Sequence, residues 1–198
     1  MRRAARTRIQ VRGVRTRDEA SAAVDAGVDA VAFVFDPAAP EHVAPRDAYV
    51  VMALLPPYVA SVGVFRDATL DEFSRIEEIC PTMLTQFEGT QTPRLVRQCG
   101  PGLIRVVAFD PETIASELAT WDALDEVDAI LVDVGGSVPE TLPRATEGLS
   151  KPLILGGAFN AASVRDAVRT LRPYAVQVAW SDGRELGALC RAVREADE

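Results

Sequence analysis

The chain alternates from end to end between short β-branched runs and longer segments whose apolar residues recur at helical spacing. The runs that read as strands are Ile9–Val14, Ala30–Phe35, Ser61–Phe65, Thr82–Gln86, Leu103–Ala108, Ala129–Asp133, Pro152–Leu155 and Ala175–Ala179. The segments that read as helices are Arg17–Ala26, Pro45–Leu54, Leu70–Ile79, Pro93–Gln98, Ile114–Leu124, Ala161–Leu171 and Arg184–Glu195. This alternation predicts a parallel α/β sheet, because a helix is the usual crossover between two parallel strands.

The number of strands narrows the architecture to two candidates. Eight units at a repeat of about 25 residues fit a minimal (β/α)8 barrel. A doubly wound open sheet tolerates the same alternation, so periodicity alone leaves both open. The stretch Gly135–Pro143 is rich in Gly and Pro, and it predicts a sixth helix that is short or missing. The length of 198 residues favours a single domain over residues 1–198.

Charge and composition exclude several partners and chemistries. The formal net charge of −8 argues against a nucleic-acid partner. The single lysine, Lys151, argues against Schiff-base catalysis. Cys80, Cys99 and Cys190 lack the spacing of a disulfide framework or a zinc knuckle, so we expect reduced thiols and no metal site. No long apolar segment follows the arginine-rich start Met1–Arg8, so a cytoplasmic protein without a membrane partner is expected.

Several segments match the motifs of one enzyme family. Its motifs KICGIT, EDA, AGAD, GFVF, LPPFV, VGVF and RPFAVDV correspond to parts of Ile9–Thr16, Asp18–Ala20, Ala26–Phe35, Leu55–Val59, Val62–Phe65 and Val168–Val176. The chain thus resembles phosphoribosylanthranilate isomerase, an enzyme of tryptophan biosynthesis. The resemblance implies a single (β/α)8 TIM barrel and an aldose–ketose isomerase that needs no cofactor.

The resemblance also implies a catalytic acid and a catalytic base. The family's Amadori rearrangement converts an aldose-amine into a ketose-amine and needs one group of each kind. Asp133 ends a strand and matches the acid of the family's LLDT motif, whereas Arg12 stands where KICGIT has its cysteine base. A guanidinium stays protonated and has no lone pair to accept a proton. We therefore expect isomerase activity that is weak or lost, with Asp133 and Arg12 at the catalytic positions.

The resemblance places further substrate-binding positions around the rim of the barrel. They are Gln86 after the fourth strand, Gly156, Gly157 and Asn160 after the seventh, and Gln177, Ser181 and Gly183 on and after the eighth. The family holds a ribose phosphate on backbone amides of the last two loops, where Ala158 here replaces a glycine and Gln177 an aspartate. Asp182 adds negative charge at the same place. Asn160 is also predicted to be the N-cap of the seventh helix.

Other family landmarks of the rim are changed. In the loop after the second strand, where the family has SPRYI or SKRYI with its anthranilate-binding arginine, this chain reads Ala39–Val43, so that Glu41 reverses the charge and His42 follows it. His42, the only histidine, reads either as a replacement base or as a solvated loop residue. The family's QLHG motif appears as Gln86–Gly89 without its histidine, and the lid loop is reduced to Gly135–Ser137.

Arg12 itself needs a partner, because an unpaired guanidinium in a partly buried mouth is costly. We expect a salt bridge to Asp133 first, and to Glu41 or Asp182 next. Any ligand is expected to be a small phosphorylated or carboxylate molecule. Two functions stay open: an isomerase homologue of low activity, and a non-catalytic barrel that acts in binding or interaction. Another isomerase or lyase chemistry on a phosphosugar has no positive support, and the oligomeric state is left open.

Overall fold

Residues 6–198, which the computed structural model describes, form a closed barrel of eight parallel strands wrapped by eight helices. The strands are β1 (Arg8–Arg12), β2 (Ala30–Val34), β3 (Ala60–Arg66), β4 (Leu84–Glu88), β5 (Leu103–Ala108), β6 (Val127–Asp133), β7 (Leu153–Gly156) and β8 (Ala175–Ala179). The helices are α1 (Arg17–Asp25), α2 (Pro45–Met52), α3 (Leu70–Ile79), α4 (Pro93–Val96), α5 (Ile114–Asp122), α6 (Leu142–Ala145), α7 (Ala161–Leu171) and α8 (Gly183–Asp197). Most of the arginine-rich start, residues 1–5, lies outside the described part. None of the described helices has the length and apolar character needed to cross a membrane.

Strand pairing closes the sheet on itself, which confirms the barrel and excludes the open sheet. The parallel register of β8 and β1 runs from Ala175 beside Arg8 to Ala179 beside Arg12. The other strands pair in chain order. All strands therefore point their carboxyl ends to the same mouth, which is where barrel proteins place their functional groups.

Three element boundaries bear on the site. The sixth helix is short, as predicted, because α6 is a single turn. The fourth helix is also a single turn and ends at Val96, earlier than predicted. The predicted fourth strand was wrong at both ends, since it starts after Thr82 and continues past Gln86 to Glu88. The Thr82 hydroxyl instead donates to Glu77 at 3.1 Å, and glutamate is a residue that propensity disfavours in strands.

Two apolar layers fill the fold. The inner layer consists of mostly small aliphatic side chains inside the barrel, among them Ala32, Val34, Val62, Val64, Ile104, Leu131 and Ile154. The outer layer lies between strands and helices and includes Phe35, Phe65, Phe73 and Phe87, whose neighbouring ring centroids are 5.1 to 5.8 Å apart. On β1, β4 and β8 the interior instead holds buried glutamines. The buried glutamines of the strands are therefore gathered on three of them.

Charged side chains connect the starts of β1 and β2 at the amino-terminal end of the barrel. Asp29 accepts hydrogen bonds from Arg6 Nη1 at 2.9 Å, from the backbone N–H of Ile9 at 2.9 Å and from Arg194 Nη2 at 3.3 Å. Burial raises the pKa of Asp29, but these hydrogen bonds and the charge of Arg6 outweigh it, so the pKa lies below its ordinary value. The carboxylate form of Asp29 therefore stabilises the folded state.

The last helix is fixed to the first strand by a second set of contacts. Asp197 accepts hydrogen bonds from the Thr7 hydroxyl at 2.7 Å and from the Thr7 N–H at 2.8 Å. Arg194 Nη1 donates to the carbonyl of Thr7 at 2.7 Å. Side chains thus join the last helix to the residue that precedes β1, in addition to the β1–β8 ladder.

We expect Asp29→Asn to lower the free energy of unfolding at pH 7 by about 1–3 kcal/mol, because two guanidinium groups lose their carboxylate partner. Since the folded-state pKa is lowered, the contribution of Asp29 is complete above the ordinary value of 3.8 and is lost as the pH falls through the folded value. Urea unfolding at pH 7 and at pH 3 checks this, and the gap between wild type and variant should narrow at pH 3.

The matched control for this prediction is Asp25→Asn, the same change at an exposed position of α1. It should alter the free energy of unfolding by less than about 0.5 kcal/mol at either pH. A gap for Asp29→Asn that is equally large at both pH values would contradict the prediction.

Candidate active site

A pocket of about 1050 Å³ opens at the carboxyl ends of the strands. Its lining includes Arg12, Glu88, Asp133 and Gln177 from β1, β4, β6 and β8, and we refer to this part of the pocket as the central chamber. We refer to the part on the side of β5 and α5 as the side chamber; its lining residues are Gln91, Thr92, Arg105, Thr113, Glu117 and Trp121. The two names denote parts of one continuous pocket.

Arg12 ends β1 and its guanidinium is held by two carboxylates. Nε donates to Glu41 Oε1 at 2.9 Å, and Nη1 forms an ion pair with Glu88 Oε1. Burial alone would lower the pKa of Arg12, but the charges and hydrogen bonds of Glu88 and Glu41 outweigh it and raise that pKa. The next residue, Gly13, has a φ of +90°, and a Cβ there would lie 3.1 Å from Glu41 Cβ, so a glycine lets the Glu41 loop approach.

The expected first partner of Arg12 was wrong, and the expected second one is confirmed. Asp133 makes no salt bridge with Arg12. Its side chain is exposed at the end of β6, and Oδ1 accepts a hydrogen bond from Gly135 N at 3.0 Å. Glu41 forms the salt bridge that was expected of Asp133. Asp182 does not pair with Arg12 either, because its side chain accepts hydrogen bonds at the start of α8. The loop after β6 therefore turns Asp133 toward its own backbone, while leaving it in the lining of the pocket.

Glu88 is the other carboxylate that pairs with Arg12, and it was not among the partners expected from the sequence. It is only 4% exposed, and besides Arg12 its carboxylate accepts from Arg66 Nη2 at 2.8 Å and from Gln86 Nε2 at 3.1 Å. Arg66 Nε in turn lies 3.6 Å from Asp36 Oδ2. Carboxylates and guanidinium groups therefore alternate across the mouth from β1 through β4 to β3.

Three buried glutamines connect these charges to the barrel interior. Gln10 Nε2 donates to Gln86 Oε1 at 2.8 Å and to Gln177 Oε1 at 3.0 Å, and Gln86 Nε2 donates to Gln177 Oε1 at 2.9 Å. Gln10 and Gln177 are direct neighbours across the β1–β8 ladder, so their side chains point into the same layer. Gln86 has no exposed surface, and its amide is satisfied within the barrel. The prediction that Gln86 binds substrate therefore does not fit its position.

The predicted rim positions divide into two groups. Gly157 and Gln177 line the pocket, whereas Gln86, Gly156, Asn160, Ser181 and Gly183 do not. Gly156 is buried in β7, where an added Cβ would lie 2.6 Å from Leu131 Cδ2. Ser181 is exposed in the loop before α8, and Gly183 is the first residue of that helix.

The starts of α7 and α8 are occupied by side chains of the chain itself. Asn160 Oδ1 accepts from the N–H groups of Ala162 and Ser163, both at 2.9 Å, which confirms the predicted N-cap. Asp182 Oδ1 accepts from the N–H groups of Arg184 at 2.8 Å and Glu185 at 2.9 Å. A carboxylate therefore sits on the amides of α8 where the family resemblance implies a phosphate.

His42 lies apart from the pocket. Its backbone pairs with β2 through Val34, and it does not line either chamber. Its Nδ1 is buried and has no hydrogen-bond partner within the described residues. The residue as a whole is partly exposed in the loop after β2, so its position is compatible with a loop residue and gives no support to the reading as a replacement base.

Arg105 is a site residue that sequence reasoning missed. It is 6% exposed, its guanidinium carbon lies 4.4 Å from the centre of the Trp121 ring, and its nitrogens donate to backbone carbonyls and to Gln91. Burial lowers the pKa of Arg105, and the nearby charges of Glu117 and others oppose this. The available signal was a charged residue in the middle of the otherwise apolar run Leu103–Ala108.

The protein is a closed (β/α)8 barrel with ionisable side chains at the carboxyl ends of its strands. It therefore belongs to the class of barrel proteins whose functional sites lie at this end of the barrel. The model of one family, described as N-(5'phosphoribosyl)anthranilate (PRA) isomerase, matches residues 9–182. The chain belongs to this family.

Individual relatives agree with this assignment along nearly the whole chain. The chain is 34% identical to N-(5'-phosphoribosyl)anthranilate isomerase of Methylibium petroleiphilum, with 97% of this chain and 96% of that protein covered. It is also 34% identical to the enzyme of that name from Azotobacter vinelandii, covering 97% and 100%. The solved phosphoribosyl anthranilate isomerase of Thermus thermophilus shares the fold with a TM-score of 0.82 at 24% identity, over 96% of this chain and 99% of that one.

We expect Glu88→Gln to lower the free energy of unfolding by about 3 kcal/mol, because Arg12 and Arg66 then face the mouth without a shared carboxylate. The matched control Glu41→Gln should cost about 1 kcal/mol or less, since the Glu41 side chain is 30% exposed and its pair is screened by water. Urea unfolding of both variants at neutral pH gives the comparison. Equal losses for the two would show that Glu88 does not organise the mouth.

Proposed function

We propose that this protein keeps the phosphoribosylanthranilate isomerase barrel but isomerises phosphoribosylanthranilate weakly or not at all. The observation that carries the proposal is the fixation of Arg12 between Glu41 and Glu88 at the position of the family's base. A cytoplasmic location is part of the proposal and follows from the family's place in amino-acid biosynthesis.

The chemistry of the reaction supports this proposal. The rearrangement needs an acid to open the ribose ring and a base to remove the proton from carbon 2. Asp133 presents an exposed carboxyl group in the central chamber, at the position that matches the family's acid. Arg12 cannot accept a proton, and its raised pKa makes that role still less accessible. Loss of a general base costs roughly 10²–10⁴-fold in rate.

The groups next to Arg12 do not offer an obvious replacement for the base. Neither a cysteine nor a histidine lines the pocket within residues 6–198. Glu88 does line it, but its two oxygens already accept hydrogen bonds from Arg12, Arg66 and Gln86. Protonation of Glu88 would weaken its ion pairs with both Arg12 and Arg66.

Substrate binding is also altered at the phosphate end. A ribose phosphate would have to displace Asp182 from the amides of Arg184 and Glu185, or bind beside its negative charge. In the loop after β2, Glu41 faces Arg12 rather than a ligand. These two changes reduce affinity for the family's substrate in addition to the loss of the base.

A second candidate function is favoured by the persistence of the pocket. The pocket of about 1050 Å³ is retained although the reacting groups have changed. A barrel that binds a small carboxylate or phosphorylated ligand without turning it over is consistent with this observation. The absence of nucleic-acid and membrane partners stays a prediction from composition.

The first test of the proposal is genetic and enzymatic. We expect the chain not to restore growth without tryptophan to a strain that lacks phosphoribosylanthranilate isomerase, whereas the Azotobacter vinelandii enzyme should restore it. Arg12→Cys alone should not recover full activity, because the phosphate and anthranilate loops are altered as well. A steady-state assay with freshly made phosphoribosylanthranilate measures the residual rate.

The control for that assay is Asp133→Asn, which removes the proposed acid without touching the Arg12 contacts. If wild type and Asp133→Asn are equally slow, the residual rate does not depend on the site. Robust growth of the complemented strain, or a wild-type rate near that of the relative, would refute the proposal.

A further prediction concerns the phosphate end. Ribose 5-phosphate should bind weakly to the wild-type protein, and Asp182→Ser should bind it about fivefold more tightly, because serine keeps an N-cap oxygen without the charge. Titration calorimetry at low salt measures both affinities. Asp166→Ser, which removes an exposed carboxylate from the middle of α7, should leave the affinity unchanged. Tight wild-type binding that Arg12→Ala abolishes would instead assign the phosphate to Arg12.

A further inference from the structure

We infer that the side chamber of the pocket binds a small monocarboxylic acid with an apolar body, and that Arg105 is the residue that holds its carboxylate. This inference goes beyond the proposed function and does not depend on whether the isomerase reaction is lost. It concerns the chamber between β5 and α5, which lies to the side of the residues at the catalytic positions.

The argument begins with the charges of the three arginines that line the pocket. Arg12 is paired with Glu41 and Glu88, and Arg66 is paired with Glu88 and Asp36. Arg105 is the most buried of the three at 6% exposure, yet within residues 6–198 it has no carboxylate at salt-bridge distance. The cation available to a ligand is therefore Arg105, and Arg12 is already neutralised.

The hydrogen bonds of Arg105 leave donors unused. Nη2 donates to the carbonyl of Gly89 at 2.6 Å, while the contacts of Nη1 with Phe87 O and Gln91 Oε1 are long, at 3.4 and 3.3 Å. Nε is buried without any partner in the described residues. A buried guanidinium that lacks both a carboxylate at salt-bridge distance and a full set of acceptors is costly, and a bound anion would supply both.

The fold leaves room for such an anion. Because α4 is a single turn, it covers less of the barrel wall than a full helix does, and the pocket reaches Arg105 and Trp121 beneath it. Val107 and, from the inner layer, Val106 also line the pocket, so its walls are in part apolar. A ligand with a charged head and an apolar body matches this lining.

The surrounding charges select a monoanion over a phosphate. Asp110, Glu117 and Asp133 line the pocket as well, so a dianion would be repelled more strongly than a singly charged group. A carboxylate also matches the planar fork of a guanidinium. Benzoate combines a single carboxylate with an apolar ring and is therefore the probe that we choose.

The test is a titration of the intact protein with benzoate, benzamide and inorganic phosphate by calorimetry. We expect saturable binding of benzoate, with benzamide and phosphate at least tenfold weaker. Arg105→Gln should lower the affinity for benzoate at least tenfold, since a charge-assisted hydrogen bond is lost. Glu117→Gln keeps an acceptor for Trp121 Nε1. It should raise the affinity for benzoate by about threefold, because a competing negative charge is removed. The matched control Arg94→Gln, on the exposed face of α4, should leave the affinity unchanged.

A measurement on the wild-type protein guards against a variant that fails to fold. With ¹⁵N-arginine labelling, benzoate should shift the Nε–H resonance of Arg105 with the same saturation curve as the heat signal. Absence of saturable benzoate binding would overturn the inference. So would equal binding of benzamide, tighter binding of phosphate, or benzoate binding that leaves the Arg105 resonance unmoved.

Discussion

The carboxylate of Glu88 is the group around which the barrel mouth is organised. A buried carboxylate persists only where hydrogen-bond donors and positive charge surround it. Here Arg12 from β1, Arg66 from β3 and Gln86 from β4 itself provide them. Through Gln86 the same carboxylate orients the glutamine cluster that crosses the interior. Side chains of four strands are thus coupled to one residue.

This coupling is the physical basis of the proposal that the family's reaction is weak or lost in this protein. A general base needs a free lone pair that faces the substrate. The position here is filled by a cation whose donors are directed at Glu41 and Glu88. The loops that would hold the two ends of the substrate have changed in the same direction, toward contacts within the protein.

Periodicity was sufficient to predict the alternation of strands and helices, because it repeats through the whole chain. The choice of the barrel over an open sheet needed the count of eight strands and the family resemblance. The sequence also placed Arg12 and Asp133 at the mouth, since both end strands of a parallel sheet. It did not identify the partner of Arg12, because that depends on where β4 ends and how the loop after β6 turns, and neither is encoded by composition. The burial of Gln86 was missed because a polar residue at a strand end reads as a rim residue. Its partners Gln10 and Gln177 are brought to it only by the closure of the barrel.

The joining of Thr7 to Asp197 has a consequence for biosynthesis. During translation β1 emerges first, with one edge exposed until β8 is made, and the last of its side-chain partners follows only with the end of α8. An unpaired strand edge is a template for association with other chains. The nascent protein therefore carries an open edge of β1 until β8 has been made, and the contact of Thr7 with Asp197 forms only after α8 has followed.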